Sequence, residues 1–354
     1  MEKNKRFEPG RLTAFSAALL AKAGLDESDA STIAQDLVEA DLRGLSSHGV
    51  SRIPMYLERL GRGLVTRKPN IRVEKRSVCS LLVDGDNGMG FLVAHRAVEE
   101  GCALAAQTGI ALVGVKHSTH FGMSALYVNQ ALEQGFNSLI FTNSSPAIAA
   151  WGGRTPFLGA APLAAGMVGG HSSPPYVLDM AMTVIARGKI RVAMINGDEI
   201  PLGLALDQEG NPTTDAKKAF EGVCLPFGGV KGSALSMLMD LVCGLYTGAG
   251  FGGEVKSLYY DHSGPQDVGH FFVFMRPDLF LSLDEYKSRM DTFYQRLKEL
   301  PTAAGVDEIL MPGEPERRTA EGNRERGVAV SEQILETLAS TANAYGVEIS
   351  QFLS

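Results

Sequence analysis

The segment SSHGVSR, residues 46–52, holds a histidine and an arginine four residues apart. An imidazole is the side chain best suited to exchanging a proton near neutrality. A guanidinium can grip a carboxylate through two parallel hydrogen bonds. Four residues is about one helical turn, so on a helix His48 and Arg52 would face one cavity. Reduction of a ketone beside a carboxylate needs these two roles, a proton for the developing alkoxide and an anchor that holds the reacting carbon. The same spacing also describes a solvated pair on a surface helix, and spacing alone favours neither reading.

Other stretches offer further chemistry. His117 and His120 form H-x-x-H after the apolar run IALVGVK. As metal ligands they have no carboxylate or thiolate nearby in sequence to complete a set. An H-x-x-H metal hydrolase is the alternative from another class of enzyme. As loop residues after a strand they sit where α/β proteins bind ligands. His120 is expected directly before a helix starting near Phe121; a histidine that fills the strand end is the other reading. TNSSPAIAAWGGRTPFLGAAP concentrates Asn143, Ser144, Trp151 and small residues past another strand. Main-chain N–H groups there could cradle phosphates, or the stretch is a turn-rich loop around a tryptophan. LPFGGVKGSAL places Lys231 and Gly232 immediately before a helix, a place suited to an anion; an exposed lysine near a cap is the plainer reading. Gly248, Gly250 and Gly253 spell G-x-G-x-x-G. A helix precedes them and none follows, so they read as a helix-terminating loop and not as a dinucleotide fingerprint.

These residues need elements to position them. The first 75 or so residues read as helices: RLTAFSAALLAKAGL, then DESDASTIAQDLVEADLRG closed by Gly44, then VSRIPMYLERL with a proline near its start. SVCSLLVDGDNG, IALVGVK, NSLIFTNSS and VGHFFVFMRP read as strands. Between them lie the helical patterns FLVAHRAVEEGCALAAQTG and SALYVNQALEQG, an α/β alternation. Residues 145–230 look irregular, which in a compact protein often marks function. KGSALSMLMDLVCGLYTG reads as a buried helix, followed later by LDEYKSRMDTFYQRLKEL and VSEQILETLASTANAYG.

The chain has 354 residues, 45% of them apolar and 21% charged, with 40 glycines and a net charge of -7. The length suggests two or three structural units. The charge and the absence of a dense basic block speak against nucleic acid. No apolar run reaches the ~18 residues of a membrane span. The N-terminus lacks a signal-peptide core. The four cysteines have no CxxC spacing, so reduced, buried thiols in the cytoplasm are expected.

Taken together, ADLRGLSSHGVSRIP, HSTHFGMSALY, FTNSSPAIAAWGG, VLDMAMTVIARGKI, GLALDQEGNPTTD, PFGGVKGSALSMLMDLVCGLYTGA and LMPGEPE resemble, in order, the malate/L-lactate dehydrogenase family. The resemblance implies an α/β, non-Rossmann fold. Its large mixed or antiparallel sheet would be flanked by helices, with a mostly helical N-terminal part. Residues 1–75 with 301–354 would form a helical domain and 76–300 the cofactor- and substrate-binding core. It implies NAD or NADP as cofactor, a homodimer, and hydride transfer to a small 2-oxo acid or from its 2-hydroxy partner. A cyclic imine carboxylate of the Δ1-piperideine-2-carboxylate type is the alternative substrate. The family's acid/base histidine in S-H-G falls on His48, and the histidine of H-F-G, also given proton transfer, on His120; Arg52 would bind substrate. The cofactor positions fall on Ser144, on Asp179, Met180 and Ala181, on Lys231 and Gly232, and on Pro312, Gly313 and Glu314. One departure stands out. Where many members read G-T-N-P, this chain reads Gly159-Ala160-Ala161-Pro162, so its preferred substrate is expected to be different or less polar.

Overall fold

A computed structural model describes residues 4–353. Strand β1 (Asn4–Phe7) leads into helices α1 (Pro9–Lys22) and α2 (Glu27–Leu42). In α1, Leu12, Phe15, Leu19 and Leu20 recur at helical spacing and are all buried. The Glu8 carboxylate caps this helix by accepting from the N–H groups of Gly10 and Arg11. Two 3-10 turns, Ser46–His48 and Val50–Arg52, precede α3 (Ile53–Gly61), with proline in its first turn.

An antiparallel hairpin follows, β2 (Arg72–Ser77) and β3 (Ser80–Asp84). Then come α4 (Gly90–Thr108), β4 (Ile110–Ser118), α5 (Ala125–Glu133) and β5 (Asn137–Thr142). Short pieces fill the next stretch: β6 (Pro146–Ile148), β7 (Leu158–Gly159), β8 (Leu163–Met167), β9 (Tyr176–Met180), α6 (Arg187–Asn196), β10 (Ala205–Leu206), α7 (Ala216–Glu221) and β11 (Val223–Cys224). Helix α8 (Val230–Asp240) continues into a π-helical turn, Leu241–Leu245. Strand β12 (Val268–Met275) and helices α9 (Leu283–Lys298) and α10 (Glu314–Arg326) come next. Strand β13 (Val328–Ser331) and α11 (Glu332–Ala344) complete these elements.

The main sheet has seven strands in the order β2-β3-β4-β12-β5-β8-β9. Only β3 and β4 run parallel; the other neighbours are antiparallel. Alternation drives the central strands: Ala111, Val113 and Val115 of β4 and Phe272 and Phe274 of β12 are fully buried. Helix α4 lies close on this face. A Cβ on Gly101 would come 2.4 Å from the Phe274 ring. The α/β, non-Rossmann arrangement with a mixed sheet and a helical N-terminal part is thus observed. Antiparallel pairing puts the ends of β4 and β5 on either side of the start of β12, with Ser118 opposite Val268 and Thr142 opposite His270.

Several local expectations need correction. Residues 145–230 are not simply irregular. A four-stranded sheet, β10-β11-β6-β7, and helices α6 and α7 enclose a small core of their own around Ile148, Leu158, Ile190 and Ile200. Helix α10 (Glu314–Arg326) was not expected from the sequence; its charges pair along its surface, as in Arg317–Glu321. The expected strand SVCSLLVDGDNG is one arm of the β2–β3 hairpin, and its turn leaves Cys79 half-buried; the other three cysteines are buried. Glycines 248, 250 and 253 lie in the loop after the π turn, as expected. No described helix is long and apolar enough to cross a membrane.

Candidate active site

His48 and Arg52 do not share a continuous helix. Gly49 is extended between the two 3-10 turns (φ -92, ψ -151), so the expected one-turn spacing on a helical face is not how the pair is placed. A Cβ on Gly49 would lie 2.1 Å from the Asp41 carboxylate. That carboxylate is held there by the Val50 N–H at 2.8 Å. Burial raises the Asp41 carboxyl to about 7 against the pull of this bond.

The kink turns His48 towards His120, and the two rings stack at 5.8 Å between centroids, 19° apart. His120 does not directly precede a helix; α5 begins at Ala125, and His120 stands in an irregular loop after β4. Its main-chain N–H reaches Gln266 Oε1 at 3.2 Å. Its Nδ1 lies 2.8 Å from the Tyr56 hydroxyl and accepts the Gly122 N–H at 3.3 Å. Burial pushes the Tyr56 phenol up, so its O–H stays protonated and donates. Two donors on Nδ1 assign the ring proton to Nε2. His48 Nδ1 pairs with Ser47 Oγ at 2.9 Å.

Burial, and then the Arg52 charge, lowers His48 to about 4. Burial, then His48 and Arg52, lowers His120 well below the usual histidine range. Arg52 donates from Nε to the Ser47 carbonyl, and its guanidinium lies over the Tyr259 ring at 5.1 Å. Among the described residues no carboxylate pairs with Arg52, and neither Nη group makes a hydrogen bond. Two neutral imidazoles beside one half-buried, unpaired cation make a site for a small anion that exchanges a proton.

His117 has a different environment from His120. It is half-exposed, with a positive φ of 51, and its Nδ1 meets Asp84 Oδ1 at 3.0 Å. The H-x-x-H residues therefore engage separate partners. Among the described residues no three His, Cys, Asp or Glu side chains are grouped to hold a metal ion.

Of the expected cofactor positions, Ser144, Gly232 and residues 179–181 are linked by contacts near the ends of β5 and β9, whereas segment 312–314 meets β9 at Val177, towards its other end. Ser144 follows β5, and a Cβ on Gly159 would meet its Oγ at 2.4 Å. The departing segment Gly159–Pro162 thus lies against Ser144, and Ala160 O accepts the Met182 N–H. Met182 O in turn accepts from Phe227, and Gly232 has room for no side chain, since a Cβ would sit 1.7 Å from Phe227 O. Lys231 is the second residue of α8 and not the residue before it. It is exposed, with no ion pair or side-chain hydrogen bond among the described residues, and no side chain caps the helix. Asp179 lies on β9 with Met180, just before the exposed Ala181; its carboxylate accepts the Ala125 N–H at 2.8 Å, and burial raises it to about 6. Pro312 O accepts from Val177 of β9, and Gly313 packs on that residue. The Glu314 carboxylate faces inward to Tyr294 Oη, Lys298 Nζ and Met311 N, each at 2.7 Å. These three partners hold it down at about 2 although its burial alone would raise it. Segment 312–314 therefore offers main chain at β9 rather than a free carboxylate.

Tyr56, Gln266, Tyr259 and Asp41 were not singled out from sequence. Tyr56 lies 64 residues from the ring it supports, and no spacing rule links them.

A family model described as malate/L-lactate dehydrogenase matches residues 7–339. The L-sulfolactate dehydrogenase of Methanocaldococcus jannaschii is 35% identical over 338 residues, 95% of this chain and 96% of the relative. The malate dehydrogenase of Pyrococcus horikoshii is 34% identical, covering 97% of this chain and 96% of its own. The solved sulfolactate dehydrogenase from M. jannaschii superposes with a TM-score of 0.92 at 33% identity, covering 98% of this chain and 99% of its own.

Proposed function

The chain belongs to the malate/L-lactate dehydrogenase family, and from that premise we propose the roles its residues play in passing a hydride between NAD or NADP and a small 2-oxo acid with its 2-hydroxy partner. The observation that carries the roles is Arg52, unpaired by any described carboxylate, beside the stacked imidazoles of His48 and His120. The relatives' names, malate and sulfolactate dehydrogenase, agree with a substrate bearing a carboxylate next to the reacting carbon.

Arg52 receives that carboxylate as a two-pronged pair. The anion offsets the positive charge that helps hold the histidines low, and His120 takes a second proton. The Tyr56 hydroxyl then turns to accept from Nδ1–H, and the long bond from the Gly122 N–H to Nδ1 is given up. Nε2–H is passed to the carbonyl oxygen as that oxygen gains negative charge. His48 stacks on the ring and fixes its plane. In the reverse direction the Nε2 lone pair takes the hydroxyl proton. The bound nicotinamide supplies or accepts the hydride. Its phosphates suit the uncapped start of α8, where Lys231 and free main-chain N–H groups present unspent donors. Ser144, Asp179, Met180, Ala181, Gly232 and the main chain of Pro312, Gly313 and Glu314 line the rest of that path. Beside Ser144, the GAAP segment has no hydroxyl or amide side chain, which favours a less polar substrate group there.

The working unit is a homodimer. Val230, Leu238, Leu241, Leu245 and Tyr246 leave an apolar stripe exposed along α8 and the π turn. The helical ends, 1–75 with 301–354 (residues 1–3 and 354 lie outside the described residues), form one domain and 76–300 the core, with β2 crossing that boundary into the sheet. The protein acts in the cytoplasm, where its free cysteines stay reduced.

The test is NADH and NADPH oxidation against a panel of 2-oxo acids and cyclic imine carboxylates, with and without a chelator. Turnover of a 2-oxo acid that ignores the chelator is expected. No turnover with any substrate, or activity lost with the metal, overturns the reading; preference for the imine replaces the substrate class.

A further inference from the structure

We propose that His270 is a positioning residue that sets the spacing between His120 and the Asn143–Ser144 loop. The proposal rests on the roles given to His120 and Ser144 above. His270 is fully buried at the start of β12, on the face that continues with Phe272 and Phe274. A histidine among phenylalanines is costly unless both ring nitrogens are satisfied. Both are. Nε2 lies 2.8 Å from Ser118 Oγ at the end of β4, and Nδ1 lies 2.7 Å from Thr142 Oγ1 at the end of β5.

The direction of each bond follows. The Thr142 hydroxyl proton goes to the carbonyl of Asn143 at 3.0 Å or of Gly269 at 3.2 Å. Thr142 Oγ1 therefore accepts from His270 Nδ1–H. Nε2 is left as an acceptor, and Ser118 donates to it rather than to the Thr119 carbonyl at 3.4 Å. The result is a one-way relay across three strands, from Ser118 through the ring to Thr142. Burial, with no carboxylate in contact, lowers His270 to about 3, so the ring stays neutral, one nitrogen donating and one accepting, across the working pH range.

Each end of the relay leads to the site. Ser118 is two residues before His120. Phe121, the residue after it, stacks on the His270 ring at 4.4 Å and 3°. Thr142 is two residues before Ser144. The ring also cannot slide along its strand. A bulge separates Val268 from His270 against β4. A Cβ on Gly269 would lie 1.7 Å from Cys243 O of the π turn. Asn143 clamps the same glycine, with its Oδ1 accepting the Gly269 N–H at 3.0 Å. One imidazole thus holds the loop of the proton-transferring group and the loop of the cofactor in a single register.

The test compares His270→Phe, which keeps the stack and loses both hydrogen bonds, with His270→Asn, which can still donate towards Thr142. Full-length variants are followed by thermal unfolding, steady-state kinetics and the isotope effect with cofactor deuterated at the transferred position. For His270→Phe, kcat should fall roughly 10- to 100-fold, the isotope effect on kcat should rise, and KM should change little; His270→Asn should recover part of kcat. Imidazole NMR of the ligand-free protein supplies a readout independent of turnover, and His120 resonances should move in His270→Phe. If that variant lowers only the melting temperature, leaving the isotope effect and the His120 resonances as in the parent, the proposal is overturned. Should it not fold, Ser118→Ala and Thr142→Val each remove one bond, and unchanged His120 resonances in both would overturn the proposal equally. A parent protein with no nicotinamide turnover, yet with moved His120 resonances, would overturn the catalytic reading and keep the link between the loops.

Discussion

His120 and His48 lie ring on ring, but their supports differ. His120 has a buried phenol and a main-chain N–H on Nδ1, whereas His48 has one exposed serine. His120→Ala should therefore lower kcat by about 10²–10⁴, the scale for losing a general acid, while His48→Ala costs less. Steady-state kinetics of both variants check this; the reverse order would exchange the two roles. Tyr56→Phe should cost roughly tenfold and shift the pH profile of kcat. Arg52→Ala should raise KM for carboxylate substrates far more than it lowers kcat, and Arg52→Lys should restore only part, because an ammonium lacks the fork. Residue type made His48 and Arg52 in one short motif, and His120 in another, legible as candidates, since imidazoles are few in this chain and chemically explicit. Tyr56 was not legible. A tyrosine in an apolar helix face looks like core until the fold brings β4's loop against it.

Helical periodicity and strand alternation exposed most of the long elements, because one buried face repeats many times along each. The short ones escaped it. The His48–Arg52 stretch breaks at Gly49, where the Asp41 carboxylate occupies the space a side chain would need, a tertiary contact with no local signature. Gly49→Ala should displace Asp41 and uncap Val50, lowering both the melting temperature and activity. Asp41 also sets a pH dependence. Its carboxyl is raised from 3.8 to about 7 in the folded chain. Between these values the folded state holds a proton the unfolded state has lost, so stability falls as pH rises through that window. Asp41→Asn keeps an acceptor for Val50 and removes the titration. Melting curves at about pH 5 and about pH 8 should show the parent losing more stability than the variant; parallel shifts would refute the assignment. At the start of α8, Lys231→Ala should weaken cofactor binding more than it slows chemistry, as read by cofactor titration.

Across the whole molecule, the family's architecture was legible because several motifs matched in one order. Helix α10 was not. Its surface is almost wholly charged, with Glu314 and Ala320 its buried residues, so it carries no apolar stripe to read. The apolar stripe along α8 gives an expectation at this scale. If the proposed homodimer forms through this stripe, Leu241→Glu with Leu245→Glu should halve the mass seen in sedimentation and reduce activity with it; an unchanged mass would overturn that contact. The pairing of β1 with β13 has a consequence in time rather than space. Asn4 finds its partner in Ser331, and Arg6 reaches the Gly327 carbonyl 321 residues away. As the chain leaves the ribosome, its strand β1 must wait for residues 328–331 before it has a partner. Closing so long a loop comes late and slowly. The first strand would then lock late, and hydrogen exchange pulsed during refolding should find the amides it shares with β13 protected only after those of the central sheet.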